Sequence, residues 1–91
     1  MNKYAILSTL KNIVKGSVIE FHASKNYSIL EGDDGKLYEN NKGELIWEHN
    51  GKKLDVKNLL WVEDFSLLFD LLLSNKAISY DEYTLLVSFL L

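Results

Sequence analysis

The sequence predicts one α+β domain: an N-terminal helix, a four- or five-stranded antiparallel β-meander and a C-terminal helical hairpin. Apolar residues recur at three- and four-residue spacing near the start of the chain, and short runs of β-forming residues separated by turn residues follow. A helical period then returns in the last third. We expect residues 1–91 to form a single domain, with the helix and meander in 1–60 and the hairpin in 61–91.

The first helix is predicted over residues 3–15. Its apolar positions have the spacing of one helix face and are Ile6, Leu7, Leu10, Ile13 and Val14. Asn2 is a residue type suited to cap the helix N-terminus, and Gly16 stands where a left-handed residue commonly ends a helix.

The meander is predicted from runs of β-forming residues at 17–23, 27–31, 36–39, 44–49 and 52–56. Asn50 and Gly51 give the clearest turn signal, because a type I′ turn requires positive φ at both central residues. A two-residue loop at this point pairs Glu48 with Lys53. The last hairpin should therefore have an apolar face and a face that carries a cross-strand ion pair.

Two helices are predicted after the meander, one near 62–74 and one that begins at Tyr80 and continues to the last residue. Seven of the nine residues in 65–73 are apolar, so the first of these helices must be buried on several sides. Ser79 and Glu82 have the spacing of a capping box at the start of the second. The connection between them is short, which makes the two helices antiparallel neighbours.

Composition and charge limit the classes of function. The chain has no cysteine, so it forms neither a disulfide nor a thiolate metal site. Its apolar stretches fall far short of the roughly 20 residues that span a bilayer, and no secretory signal is evident, so we expect a cytoplasmic protein with no membrane partner. All ten basic residues are lysine, whereas arginine is favoured in base recognition, so we expect no sequence-specific nucleic acid partner.

The net charge of −3 is distributed unevenly along the chain. Residues 1–57 hold nine lysines and eight acids, a balance of +1, whereas residues 58–91 hold one lysine and five acids, a balance of −4. The predicted hairpin is therefore acidic on its exposed side and apolar on its buried side.

Residues in the predicted hairpin resemble the SHOCT family, the short C-terminal helical hairpins of many bacterial and phage proteins. The positions that carry the resemblance are Leu68, Leu72, Lys76, Ile78, Ser79, Asp81, Glu82 and Tyr83. Two features differ from the family: Ala77 replaces the usual glycine, and the second helix lacks the usual basic residues. For residues 65–91 the resemblance implies an accessory hairpin for oligomerisation or partner binding. The remainder resembles small phage accessory proteins built from a helix, a glycine and a β-meander.

Candidate catalytic and metal sites have little support in the sequence. No serine lies in a nucleophile turn, and no glycine-rich loop suited to phosphate is present. His22 and His49 are the only histidines, and a zinc site would need a third ligand beside them. We expect no catalytic residue, no metal and no cofactor.

The function expected from these features is non-catalytic protein binding or oligomerisation, as in a phage or mobile-element accessory protein that modulates or inhibits a host protein. One sheet face covers only one stripe of the first hairpin helix, so its other apolar residues are expected to contact a second copy or another protein. A homodimer or larger assembly would result. The predicted contacts are Phe65, Leu68, Phe69, Leu72, Phe89 and Leu90.

Two alternative functions are open. In the first, Trp47, Trp61 and Tyr38 line a pocket that binds or sequesters a nucleotide-like ligand, because aromatic side chains stack on bases. The same residues also fit sheet faces as core and cross-strand packing. In the second, the chain is an acidic DNA-mimic inhibitor, for which a net charge of −3 is small.

Overall fold

The computed structural model describes residues 1–22, 34–49 and 51–91 and confirms the α+β architecture. Its elements, in chain order, are α1 (Lys3–Val14), β1 (Ile19–Phe21), β2 (Gly35–Glu39), β3 (Leu45–His49), β4 (Lys52–Asp55), a 3₁₀ turn (Val56–Asn58), α2 (Val62–Ser74) and α3 (Tyr80–Ser88). The strand predicted at 27–31 and the turn residue Asn50 lie outside the described residues.

Helix α1 forms where the apolar spacing predicts it. The Oδ1 atom of Asn2 accepts a hydrogen bond from the backbone N–H of Ala5 at 3.1 Å, as an N-cap does. The helix ends one residue earlier than predicted, because Lys15 already takes a left-handed conformation with φ 40°. Its fully buried stripe is Ile6, Leu10 and Val14.

The four described strands form one antiparallel sheet in the order β1-β2-β3-β4. Glu48 pairs with Lys53 in the β3–β4 hairpin, which confirms the register that a two-residue loop predicts. Gly51 has φ 80°, a conformation that such a turn requires and that glycine adopts without strain. Strand β4 is one residue shorter than predicted, because Val56 begins the 3₁₀ turn.

The pleat of the sheet separates an apolar inner face from a charged outer face. Leu37, Trp47 and Leu54 stand opposite one another on the inner face, and the first two are 0 and 1 % exposed. The equivalent row on the outer face is Glu20, Lys36, Glu48 and Lys53. Charges in this row alternate in sign, which favours the cross-strand pairing of the four strands.

One hydrophobic core joins the inner sheet face to all three described helices. Helix α3 packs along α2, and α1 packs against β2 and the 3₁₀ turn. The buried residues that α2 supplies are Phe65, Leu68, Phe69, Leu71 and Leu72, all with 0 % exposure. A helix that is apolar around most of its circumference is thus enclosed by several elements of its own chain.

Helix α3 begins at Tyr80, as predicted, behind a complete capping box. The Ser79 hydroxyl accepts a hydrogen bond from the backbone N–H of Glu82 at 3.1 Å. In return, Glu82 Oε1 accepts one from the backbone N–H of Ser79 at 2.8 Å. The helix ends at Ser88 and does not continue to the last residue. The N–H groups of Phe89 and Leu90 donate to the carbonyls three residues before them, which is the pattern of a 3₁₀ turn and not of an α-helix.

Ser79→Ala should lower the free energy of unfolding by about 1 kcal/mol, because it removes the acceptor for one unpaired helix amide. The Glu82 carboxylate still accepts from the backbone N–H of residue 79, so α3 should fray at its start and stay folded. Hydrogen exchange should therefore rise in Tyr80–Ser88 and stay unchanged in β3 and β4. Equal protection of α3 in the two proteins would show that the hydroxyl adds no stability.

Candidate functional site

The described residues include nine large apolar side chains that are exposed to solvent. They are Met1, Tyr4, Val18, Leu60, Trp61, Val62, Tyr80, Leu85 and Leu91. Three of them are consecutive, with Leu60, Trp61 and Val62 exposed by 72, 67 and 43 %. Contiguous exposed apolar side chains commonly mark an interaction site, whereas single ones are ordinary.

The backbone on both sides of these three side chains is held in place. Leu59 donates its N–H to the carbonyl of Val56 at 3.1 Å, which closes the 3₁₀ turn, and its side chain is only 8 % exposed. On the other side, the N–H of Asp64 donates to the carbonyl of Trp61 at 3.1 Å in the first turn of α2. A partner that binds here therefore meets a surface whose backbone is already ordered.

Trp61 occupies the N-cap position of α2, which polar residues normally favour. Its backbone has the extended conformation of an N-cap, with φ −109° and ψ 136°, but its side chain makes no capping hydrogen bond. Serine, threonine, aspartate or asparagine there would stabilise the helix by about 1 kcal/mol. A position that breaks a local rule without an evident compensating contact is a candidate for a functional or strained site.

Two hydrogen bonds bring other chain segments to this end of the molecule. The Nζ atom of Lys3 donates to the carbonyl of Lys57 at 2.8 Å, so the start of α1 lies beside the turn that leads to Leu60. The backbone N–H of Asn2 donates to the carbonyl of Phe89 at 2.7 Å. The start of α1 and the residues that follow α3 therefore meet near the start of α2.

A side-chain hydrogen bond joins α2 to α3. The Tyr83 hydroxyl donates to Asp70 Oδ1 at 2.8 Å. Because the helices are antiparallel, the start of α2 and the residues that follow α3 lie toward the same end of the hairpin. We name the three consecutive exposed side chains at the start of α2 the apolar pole and define it as Leu60, Trp61 and Val62.

Charged side chains of both signs border the apolar pole. Lys3 lies on the α1 side, and Glu63 and Asp64 lie in the first turn of α2. Within the described residues, none of the three has an oppositely charged atom within 4.0 Å. Their charges are therefore not neutralised by close contacts inside that part of the chain.

Four of the six predicted partner contacts lie inside the core of the single chain. Each is 0 % exposed, and they are Phe65, Leu68, Phe69 and Leu72. In the single chain these four side chains are not accessible to a partner, because α1 and α3 share the core with the inner sheet face and cover them. Phe89 and Leu90, the other two, are half-buried against that core.

The three residues predicted to line a ligand pocket do not lie together. Trp47 is 1 % exposed on the inner face of β3, whereas Trp61 is exposed at the start of α2. Tyr38 is on the outer face of β2, where its hydroxyl lies 3.4 Å from Glu48 Oε1 and the Lys36 Nζ lies 5.4 Å from its ring centroid. The sheet separates Trp47 from Tyr38, so one ligand cannot contact all three.

A shallow groove of about 200 Å³ lies between α1 and the β2–β3 turn. Its lining residues are Leu7, Lys11, Lys42, Gly43, Glu44, Leu45, Asp55 and Lys57. The Lys57 ammonium lies 3.9 Å from Glu44 and 3.8 Å from Asp55, so the two carboxylates share it. A hydrogen bond from Asn40 lowers the pKa of Glu44, which stays ionised at neutral pH. The groove lining thus carries three lysines and two acids, a balance of +1, which is a weak preference for anions at most.

The histidines and acids of the described residues give no metal-binding cluster. No three metal-ligating side chains come together there. His22 follows β1 and His49 ends β3, with β2 between them. His22 instead lies 3.9 Å from the Glu20 carboxylate.

The outer sheet face bears on the DNA-mimic alternative. The outer sheet face alternates acids and lysines, whereas a DNA mimic requires a continuous array of acids in place of phosphates.

In the described ranges, every helix is too short or too polar to cross a bilayer.

Sequence reasoning named Trp61 only as a pocket residue and missed Leu60 and Val62. The signal for them is the unbroken apolar run of residues 59–62 immediately before a helix that lacks a polar N-cap. A short connection can turn only some of its side chains inward. In this structure it buries Leu59 and leaves the next three exposed.

Comparisons of the chain with protein-family models, with curated proteins and with solved structures gave no match. The resemblance of residues 65–91 to the SHOCT family therefore stays a prediction.

Proposed function

We propose that this protein is a non-catalytic binding protein that recognises another protein through the apolar pole. The observation that supports the proposal is the exposure of Leu60, Trp61 and Val62 on an ordered backbone. Tryptophan is enriched among the residues that dominate the binding energy of protein interfaces. Trp61 is the central anchor of the proposed interface.

The placement of Trp61 allows its contribution to binding to be separated from its contribution to folding. At most interfaces a few anchor residues each contribute about 2 kcal/mol or more, which is roughly a 30-fold change in affinity. An indole that is already two-thirds exposed contributes little to the core of its own chain. Replacing it should therefore weaken binding and leave the fold intact.

Trp61→Ser should raise the free energy of unfolding by up to about 1 kcal/mol, because serine at an N-cap accepts a hydrogen bond from the first turn of the helix. The same change should weaken partner binding roughly 30-fold. Thermal denaturation measures the first effect and titration with the partner measures the second. A loss of stability with unchanged binding would contradict both expectations.

The function itself is tested by photo-crosslinking from position 61 in the native host extract. A benzoylphenylalanine side chain in place of Trp61 should give discrete protein adducts. Tyr80 is the matched control, because it is an aromatic residue with 69 % exposure at the opposite end of the α2–α3 hairpin. Adducts that are equally abundant from both positions, or absent from position 61, would contradict the proposal.

A further inference from the structure

We propose that the groove between α1 and the β2–β3 turn is a second binding surface, which takes an acidic peptide segment of another protein. The proposal goes beyond the apolar pole, because none of the three residues that define the pole lines this groove. Lys11 of α1 and Lys42 of the β2–β3 turn line it from two separate elements of the fold and hold the carboxylates of the bound segment.

The groove continues along the exposed side of α1, beyond the part that faces the turn. A second depression, of about 290 Å³, is lined by Tyr4, Leu7, Ser8 and Lys11. It shares Leu7 and Lys11 with the first depression, so the two are continuous, and together we call them the α1 groove. From Tyr4 to Lys11 the helix rises by about 10 Å. The α1 groove is therefore long enough for several residues of an extended peptide.

The charge that a ligand can reach in the α1 groove comes from two of its three lysines. Lys57 is already shared by the carboxylates of Glu44 and Asp55, at 3.9 and 3.8 Å. Lys11 and Lys42 are exposed, and within the described residues neither has an acidic oxygen within 4.0 Å. The balance of the whole lining is small, but the two positive charges without a close partner are the ones that are open to a bound segment.

Helix α1 adds no charge that would repel an acidic segment. Residues 1–19 contain three lysines and no acid. At the far end of the groove Tyr4 is 84 % exposed, and its ring and hydroxyl, together with the hydroxyl of Ser8, offer further contacts beside the lysines. Complementary charge of this kind speeds the association of oppositely charged partners and disfavours partners of the same charge.

The open shape of the groove favours a peptide over a small ligand. Small-molecule pockets enclose most of the surface of the ligand, whereas the α1 groove is a shallow depression along one helix. A single exposed ion pair contributes little to binding, so several contacts along one segment are needed. An extended acidic segment provides them, because it contacts Lys11 and Lys42 and continues along α1 toward Tyr4.

Titration of the full chain with acetyl-hexaglutamate amide, followed by amide chemical shifts in NMR, tests the proposal. The largest shifts should fall on residues of the α1 groove, with a dissociation constant of roughly 1 mM or lower, and binding should weaken as ionic strength rises. Lys11→Glu and Lys42→Glu should each weaken it about threefold or more, because a like charge then faces the ligand. Lys52→Glu is the matched control, since it makes the same charge change at the opposite end of β3 and should bind as wild type does.

Removal of an acid from the groove should have the opposite effect. Glu44→Gln removes one negative charge and keeps an oxygen that accepts the hydrogen bond from Asn40. Binding of hexaglutamate should therefore tighten about twofold. A folding defect does not produce tighter binding, so this variant separates the charge of the groove from its stability.

Two further probes identify the chemistry of the ligand. If acetyl-hexaglutamine amide shifts the same amides as strongly, or if inorganic phosphate binds as tightly as hexaglutamate, the acidic segment is overturned as the ligand. Equal weakening by all three lysine variants would show only long-range attraction and would overturn the site. Groove amides that do not shift at millimolar hexaglutamate overturn it as well.

Discussion

Gly35→Ala should lower the free energy of unfolding by about 3 kcal/mol or more, although it adds one methyl group. A Cβ atom at position 35 would overlap the carbonyl oxygen of Glu48 and lie 2.9 Å from its carbonyl carbon. Both atoms belong to the backbone of β3, which pairs with β2 on one side and β4 on the other. The methyl group can therefore be accommodated only if the central pair of strands separates.

Gly16→Ala is the matched control for this prediction. Gly16 has φ 81°, and a Cβ atom there would meet nothing within 4 Å, so alanine adds only the cost of a left-handed conformation, about 1–2 kcal/mol. Urea denaturation of the two variants compares steric overlap with backbone strain at the same chemical change. Equal losses would show that the β2–β3 pair is not as close at Gly35 as the structure has it.

Local signals explain why so much of the fold could be predicted from the sequence. The start of α3 follows from two hydrogen bonds between Ser79 and Glu82, and the register of the last hairpin follows from its two-residue loop. Both depend on residues only a few positions apart. The order of the strands then follows because successive hairpins in a meander are neighbours.

The tertiary contacts of each element could not be predicted from such local signals. Gly35 directly precedes the predicted run of β-forming residues at 36–39, whereas the structure places it inside β2, opposite His49. The need for glycine there comes from the carbonyl of Glu48, 13 residues away in sequence. Contacts of this kind depend on tertiary packing, for which single-sequence periodicity carries no signal.

The candidate site illustrates the same limit. Apolar periodicity identified α2 as a helix that must be buried, but it could not show that α1 and α3 of the same chain supply the cover. The predicted interaction surface was therefore placed on the most apolar segment. Leu60 and Trp61 lie instead in the short connection before α2, Val62 is the first residue of α2, and all three are exposed to solvent.

Phe69→Ala should lower the free energy of unfolding by about 3–5 kcal/mol, the range for removing a fully buried aromatic side chain. Phe69 is 0 % exposed, and its ring centroid lies 6.2 Å from that of Phe65. Leu85→Ala, at a side chain 47 % exposed on α3, is the control and should change stability by about 0.5 kcal/mol or less.

The same variant decides between a core role and an interface role for α2. If Phe69 packs in the core, the denaturant midpoint of Phe69→Ala falls even at concentrations too low for association, and its folded fraction self-associates with the affinity of wild type. If Phe69 were instead a contact between copies, the dilute protein would keep its stability and only association would weaken. Urea denaturation below the dissociation constant, combined with sedimentation above it, measures the two quantities separately. We expect the first result, because no part of the Phe69 side chain reaches the surface that a second copy would touch.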